Sequence, residues 1–169
     1  LVRSRGLGDV YKRQDYMRLD IIYKYGGIYL DTDIEMIKKP DQLLYQECFG
    51  CVDSSMTMNL GSGFGAIPKT KIIRELRDYY DGITFIKEDG SEDNTSCNSH
   101  SYHVLKKWGV MINDQLQNVG GMNIYPMIFQ GANQHTKKIY KTDKTFWIHY
   151  GNMSWFKRKS MEGTDEVCG

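Results

Sequence analysis

No run of 18 or more apolar residues occurs in the 169-residue chain, so the sequence offers no helix able to span a bilayer. No secretory signal is legible at its start. An excess of one charge is missing too: 22 Lys and Arg stand against 21 Asp and Glu, a formal net charge of +1. That balance carries no electrostatic footprint for nucleic acid. Cysteines are sparse, with Cys48, Cys51, Cys97 and Cys168 in all. The pair Cys48-x-x-Cys51 and the run Cys97-x-x-His100-x-x-His103 have ligand types that zinc accepts. However, Cys48 to Val52 reads as a strand, which turns residues three apart to opposite faces. Reduced, unpaired thiols are therefore the preferred reading. The glycine-rich stretch Gly61 to Pro68 is not closed by Gly-Lys-Ser/Thr, and it lacks the dinucleotide fingerprint. Neither a Walker loop nor a dinucleotide-binding turn is present there, and no internal repeat appears.

What is present suits one globular domain. Hydrophobic residues make up 40% and charged residues 25%, ordinary values in a chain long enough for a real core. Twelve Tyr and three Trp are a mild excess, read first as packing groups and second as sugar- or base-stacking faces. Leu1 to Gln14 stand apart, with Arg3, Arg5, Lys12 and Arg13 against Asp9 and no helical or strand period. This segment reads as a translated adapter joined to a broken reading frame, with a flexible basic tail as the alternative. The expected organisation is residues 1–14 as a non-native tail, 15–157 as the domain without its N-terminal part, and 158–169 as a disordered or truncated tail.

From Asp15 the pattern is helical, with Asp15 as the N-cap and Gly26 as the stop. At 100° per residue, Asp15, Arg18, Leu19, Ile22 and Tyr25 share one face. A carboxylate and a guanidinium thus lie on the stripe that faces the core. An ion pair at i,i+3 would be the bland account, worth a few tenths of a kcal/mol. A polar ligand pocket is favoured, because two carboxylates stand a few residues beyond the helix. Gly26-Gly27-Ile28-Tyr29-Leu30-Asp31-Thr32-Asp33 ends the helix, starts an apolar strand and sets both acids at its tip. Strand alternation points Asp31 and Asp33 the same way. Like charges that close call for a cation between them, at the strand end where open α/β sheets bind ligands.

Farther along, Ile34 to Ile37 and Glu47 to Val52 read as extended, with a short helix from Pro40 through Leu44. Gly61, Gly63 and Gly65 alternate, which suits close approach by a ligand or a neighbouring strand. Thr70 to Asp81 is amphipathic, with Ile72, Ile73, Leu76, Tyr79 and Tyr80 inward. Glu88 to Ser99 is loop-like, and a helix then runs to about Trp108. Asn118 to Tyr125 reads as one strand, and Thr145 to Tyr150 as another that delivers His149 to its end. Alternating strands and helices give an α/β class, with four or five strands visible.

Three chemistries use paired carboxylates of this kind. A calcium loop fails, because the sixth and twelfth positions from Asp31 hold Met36 and Gln42. An aspartyl-phosphate phosphatase wants Thr or Val where Glu35 stands. The third is a metal-dependent glycosyltransferase, in which carboxylates hold a dication against a nucleotide-sugar diphosphate.

Residues 15 to 33, Asp-Tyr-x-Arg-Leu-Asp-Ile-Ile-Tyr-x-Tyr-Gly-Gly-Ile-Tyr-Leu-Asp-Thr-Asp, closely resemble the sugar-binding Asp-x-Asp region of glycosyltransferase family 32. That group includes bacterial capsular-polysaccharide transferases and fungal α-mannosyltransferases, and large clostridial glucosylating toxins share the region. Tyr102 to Gly109, Asn123-Ile-Tyr-Pro126, and Ile148-His149 ending in Ser154-Trp155 resemble the family's later blocks in order. The likeness extends over roughly Asp15 to Lys157. Gln14 departs from the family's Ser, and Tyr150 from a second His.

The resemblance implies a partial GT-A-like fold, an α/β/α sandwich with a mixed sheet. It implies Mn²⁺ or Mg²⁺ held by Asp31, Asp33 and His149. Asp15 and Arg18 would bind donor-sugar hydroxyls, Tyr29 would pack by the nucleotide or sugar, Ser154 and Trp155 would close over the diphosphate, and Asn59 with the glycine-rich segment after it would stand on the acceptor side. The implied partners are a UDP- or GDP-hexose donor and a saccharide or lipid-linked glycan acceptor. The implied setting is bacterial surface polysaccharide, such as capsule, made in the cytoplasm at the inner face of the membrane. Transfer would retain anomeric configuration. A fragment that binds metal or sugar nucleotide without turnover is the competing expectation.

Overall fold

The computed structural model describes residues 7–151, apart from 85, 86, 88, 92, 94, 134, 135 and 137. The chain opens with α1 (Leu7–Tyr25), then β1 (Gly27–Tyr29), β2 (Ile34–Met36), β3 (Cys48–Cys51) and β4 (Phe64–Ala66). Helices α2 (Lys71–Asp78) and α3 (Cys97–Leu105) come next. The chain continues through β5 (Gln117–Val119), β6 (Met122–Tyr125), β7 (Ala132–Asn133), β8 (Lys138–Ile139) and β9 (Trp147–His149). Five strands form one mixed sheet in the order β1-β4-β3-β6-β5, in which β3 and β6 run parallel and the other neighbours antiparallel. Separate two-stranded ribbons pair β2 with β9 and β7 with β8.

Alternation along the central strands sorts the core into two layers. Cys48 and Val52 face a cluster that contains Leu19 and Ile22 of α1, Ile72, Ile73 and Leu76 of α2, and Val104 and Leu105 of α3. Phe49 and Cys51 face the opposite cluster, with Leu43, Phe129, Phe146 and Trp147. All three helices therefore pack on one side of the sheet, and an aromatic layer carrying the β2–β9 ribbon lies on the other. The two close cysteines fall in different layers, as their strand spacing predicts. Among the described residues they join no group able to hold a metal.

Several expectations need correction. The first helix begins at Leu7, eight residues before Asp15, so Asp15 is an interior helical residue and not a cap. Once a helix exists, each added residue gains a backbone bond at low cost, and no apolar stripe is needed to extend it. Tyr25 is 77% exposed, because the chain leaves the core side at Gly26, whose φ is +70°. Asn118 to Tyr125 is a hairpin, not one strand. Gly120 and Gly121 both have positive φ and form its two-residue turn, with Val119 opposite Met122. Among the described residues, nine short strands replace the four or five expected, since two to four residues leave little alternation to read. The helix from Thr70 holds as α2 continued by a 3-10 turn over Tyr79–Gly82, with Ile72, Ile73, Leu76 and Tyr80 buried. Among the described residues, no helix is long and apolar enough to cross a membrane.

Candidate functional site

Asp31 and Asp33 sit just beyond β1, but not on it. The strand ends at Tyr29, and the chain turns so that the Ile34 amide donates to the Asp31 carbonyl at 3.2 Å. The shared direction expected from strand alternation therefore comes from a turn. Antiparallel pairing of β2 with β9 sets Ile34 opposite His149, and the Tyr150 amide donates to the Asp33 carbonyl at 3.1 Å. His149 is thereby delivered beside the aspartates. One ligand atom from each of Asp31, Asp33 and His149 lies within 4.8 Å of the others, and His149 Nε2 is 3.3 Å from Asp33 Oδ1.

The far side of the His149 ring is fixed by Ser62, whose Oγ lies 3.0 Å from Nδ1 in a buried contact. When Nδ1–H donates to that oxygen, the Nε2 lone pair faces the carboxylates. Burial lowers the His149 pKa below its ordinary 6.5 despite the opposing charges of Asp33, Asp31 and Asp53. The imidazole is thus kept neutral, the form that ligates. Two carboxylates and a neutral imidazole are the donor set that Mn²⁺ accepts and Mg²⁺ tolerates.

Asp31 is held from the helix side. Tyr29 donates its hydroxyl to Asp31 Oδ1 at 2.6 Å, and Arg18 Nη1 lies 3.7 Å from the same atom. Arg18 Nη2 lies 2.8 Å from Asp15 Oδ1, with side chains only 10% and 12% exposed. The Arg18 guanidinium also lies over the Tyr29 ring, 4.9 Å from its centre. Burial works against the Arg18 charge, but Asp15, Tyr29 and Asp31 outweigh it and raise the guanidinium pKa. A buried pair of this kind rarely adds net stability, because desolvating both ions costs several kcal/mol. An exposed surface pair, worth a few tenths, is excluded by the burial. Arg18 Nε has no hydrogen-bond partner among the described residues, so a buried donor remains for a ligand to satisfy. Burial pushes the nearby Cys97 thiol up to about 12, leaving it protonated at neutral pH.

The glycine segment supplies the remaining wall. A Cβ on Gly61 would stand 2.5 Å from Asp31 Oδ2, and one on Gly63 2.7 Å from the Trp147 ring. Close approach, expected from the alternating glycines, is thus to the site and its supporting layer. Asn59 Oδ1 accepts from the Gly61 amide at 2.8 Å, and its Nδ2 donates to Asp53 at 3.0 Å.

The structure brings Asp15, Arg18, Tyr29, Asp31, Asp33 and His149 into one neighbourhood. Ser154 and Trp155 lie outside the described residues, as does the expected tail over 158–169. Sequence reasoning missed Ser62 and Asp53. Ser62 gave no signal beyond its place between two glycines, whereas Asp53 is an acid directly after a strand, which could have drawn notice.

No curated protein and no solved structure matches the chain. Residues 8–50 match the family described as glycosyltransferase sugar-binding region containing DXD motif. The matched span starts before Asp15 and stops at Gly50, so the later blocks from Tyr102 onward fall outside it. Five of the six gathered side chains come from within it, and only His149 from beyond. The segment that bears both aspartates is thus similar to the glycosyltransferase sugar-binding region containing the DXD motif.

Proposed function

We propose that the chain acts as a metal-dependent hexosyltransferase of GT-A-like fold. It moves sugar from a UDP- or GDP-hexose to a saccharide or lipid-linked glycan acceptor, with retention of configuration, in surface-polysaccharide synthesis. The observation that carries this reading is the convergence of Asp31, Asp33 and the distant His149 within 4.8 Å. The donor set fits Mn²⁺ or Mg²⁺, and Asp31, Asp33 and His149 would hold the ion. A dication bound there supplies Lewis-acid stabilisation of the charge that develops on a leaving diphosphate.

The chain's own residues do the rest. Asp15 and Arg18 present a fixed acceptor and a fork of donors, which suits vicinal sugar hydroxyls. Tyr29 holds Asp31 in place through its hydroxyl. Ser62 holds the His149 ring. In the transfer, the acceptor oxygen bonds to the anomeric carbon as the bond from that carbon to the diphosphate oxygen breaks. The acceptor proton leaves with the diphosphate. Displacement on one face accounts for retention without a covalent nucleophile.

The test is thermal unfolding with Mn²⁺ plus UDP or GDP, beside the double variant Asp31→Ala/Asp33→Ala. Ligand at 100 times Kd adds about 2.7 kcal/mol, or about 5–10 °C at this chain size. A Mn²⁺-dependent rise with one nucleotide, abolished in the variant, is expected. A wild-type chain that melts cooperatively with no such rise overturns the reading.

A further inference from the structure

Next to the aspartate–histidine cluster, an open polar cleft lies between the turn after β3 and the first turn of α3. Ser55 and Thr57 line it from the turn, and Asn98, Ser99 and Tyr102 from the helix, together with buried Asp53. The Asp53 carboxylate organises these groups. It accepts from the Ser55 amide at 2.8 Å and from the Ser55 hydroxyl. It also accepts from Asn59 Nδ2 at 3.0 Å and Asn98 Nδ2 at 2.9 Å. One buried acid thus ties the turn, the glycine segment and α3 together.

Continuity with the donor side is direct. Asn59, bonded to Asp53, accepts from the Gly61 amide, and Gly61 abuts Asp31 Oδ2. Asp53 is also near enough to His149 for its charge to act on that ring.

The lining selects a ligand class. Among the described residues, no Lys or Arg lines the cleft and Asp53 is its one carboxylate, so a diphosphate finds no counter-charge from them. Hydroxyls and an amide dominate. Ser55 Oγ and Thr57 Oγ1 lie 2.6 Å apart, and Ser96 Oγ and Ser99 Oγ 3.0 Å apart. Paired hydroxyls donate and accept interchangeably, which matches a polyhydroxylated ligand. Tyr102 adds a ring face and a polar tip, as saccharide contacts use.

We propose that this cleft is the acceptor site and binds a neutral saccharide beside the donor site, an inference that rests on the transferase reading. Its lining is preorganised through Asp53, so binding costs little side-chain ordering.

The test is titration of the ¹⁵N-labelled full chain with the methyl α-glycosides of glucose, galactose and mannose. At least one should give saturable amide shifts at Ser55, Thr57, Asn98 and Ser99. Thr57→Val and Tyr102→Ala should each weaken that binding about tenfold, the loss of one good contact. Asn98→Ala should do so at least as strongly, and the first two variants guard against its unfolding the turn. No saturable shift at these amides with any of the three glycosides overturns the proposal. So does displacement of a bound glycoside by UDP with Mn²⁺, which would make the cleft part of the donor site. A separate titration of wild type with Mn²⁺ and UDP reads the amides of Asp31, Asp33 and His149. Shifts there without glycoside binding overturn the acceptor cleft alone, and their absence overturns the transferase reading.

Discussion

Replacing Gly61 with Ala tests the site more selectively than removing a ligand. The added Cβ would stand 2.5 Å from Asp31 Oδ2 and 3.2 Å from Asn59 Oδ1. Ordinary contact begins near 3.4 Å, so the carboxylate must retreat by about 1 Å, the scale at which a supporting shell fails. Gly61 has no left-handed backbone, so alanine brings no conformational strain. The obstructed atom is the end of a side chain, which places the folding cost at the low end for overpacking, about 1 kcal/mol. That is about 2–4 °C in Tm for a chain of this size. The other Asp31 oxygen is held by the Tyr29 hydroxyl at 2.6 Å and faces Arg18, so the carboxylate cannot move without breaking its own support. Misplacing one donor of three should weaken Mn²⁺ binding by about 10- to 100-fold, or about 1.4–2.8 kcal/mol. Free Mn²⁺ is read by electron paramagnetic resonance during titration, and stability by urea unfolding of the same sample. Gly82→Ala is the control, because a Cβ there meets nothing within 4 Å, and it should move neither quantity. A folded Gly61→Ala chain that binds Mn²⁺ as tightly as wild type would refute the reasoning.

Burial leads to two more expected outcomes. The folded His149 pKa lies below 6.5, so between the two values the unfolded chain binds the extra proton. Stability therefore rises with pH in that window and is lost as pH falls from about 6.5. His149→Gln should flatten this part of the curve, measured by urea unfolding without divalent ions, and an unchanged slope would count against a buried neutral ring. Leu19 and Tyr25 are on the same predicted helix face but are 0% and 77% exposed. Leu19→Ala should cost about 2–5 kcal/mol and Tyr25→Ala no more than about 0.5 kcal/mol by the same assay, and equal losses would contradict the packing.

The sequence by itself determined those features that depend on neighbours a few residues apart. Ile72, Ile73 and Leu76 had to share a face once α2 formed, because 3.6 residues per turn leave no other arrangement. Asp15 and Arg18 had to join the stripe of Leu19 and Ile22 for the same reason, which put two charged groups on the core-facing stripe and pointed to a polar ligand pocket. The Asp31-x-Asp33 spacing proposed a cation and resembled a sugar-binding region, as the match over residues 8–50 bears out for that region. Tertiary structure decided what distant pairing alone can set. His149 reaches Asp33 only because β9 pairs with β2 in the register that sets it opposite Ile34, and a slip of one residue would turn its ring to the other face. Ser62 meets His149, Gly61 abuts Asp31, and Asp53 reaches Asn98, all across chain separations that no local period encodes. Covalent geometry fixes the short spacings, but each of these long loop closures is one among many of similar entropic cost. Packing of the whole sheet and its two layers selects among them.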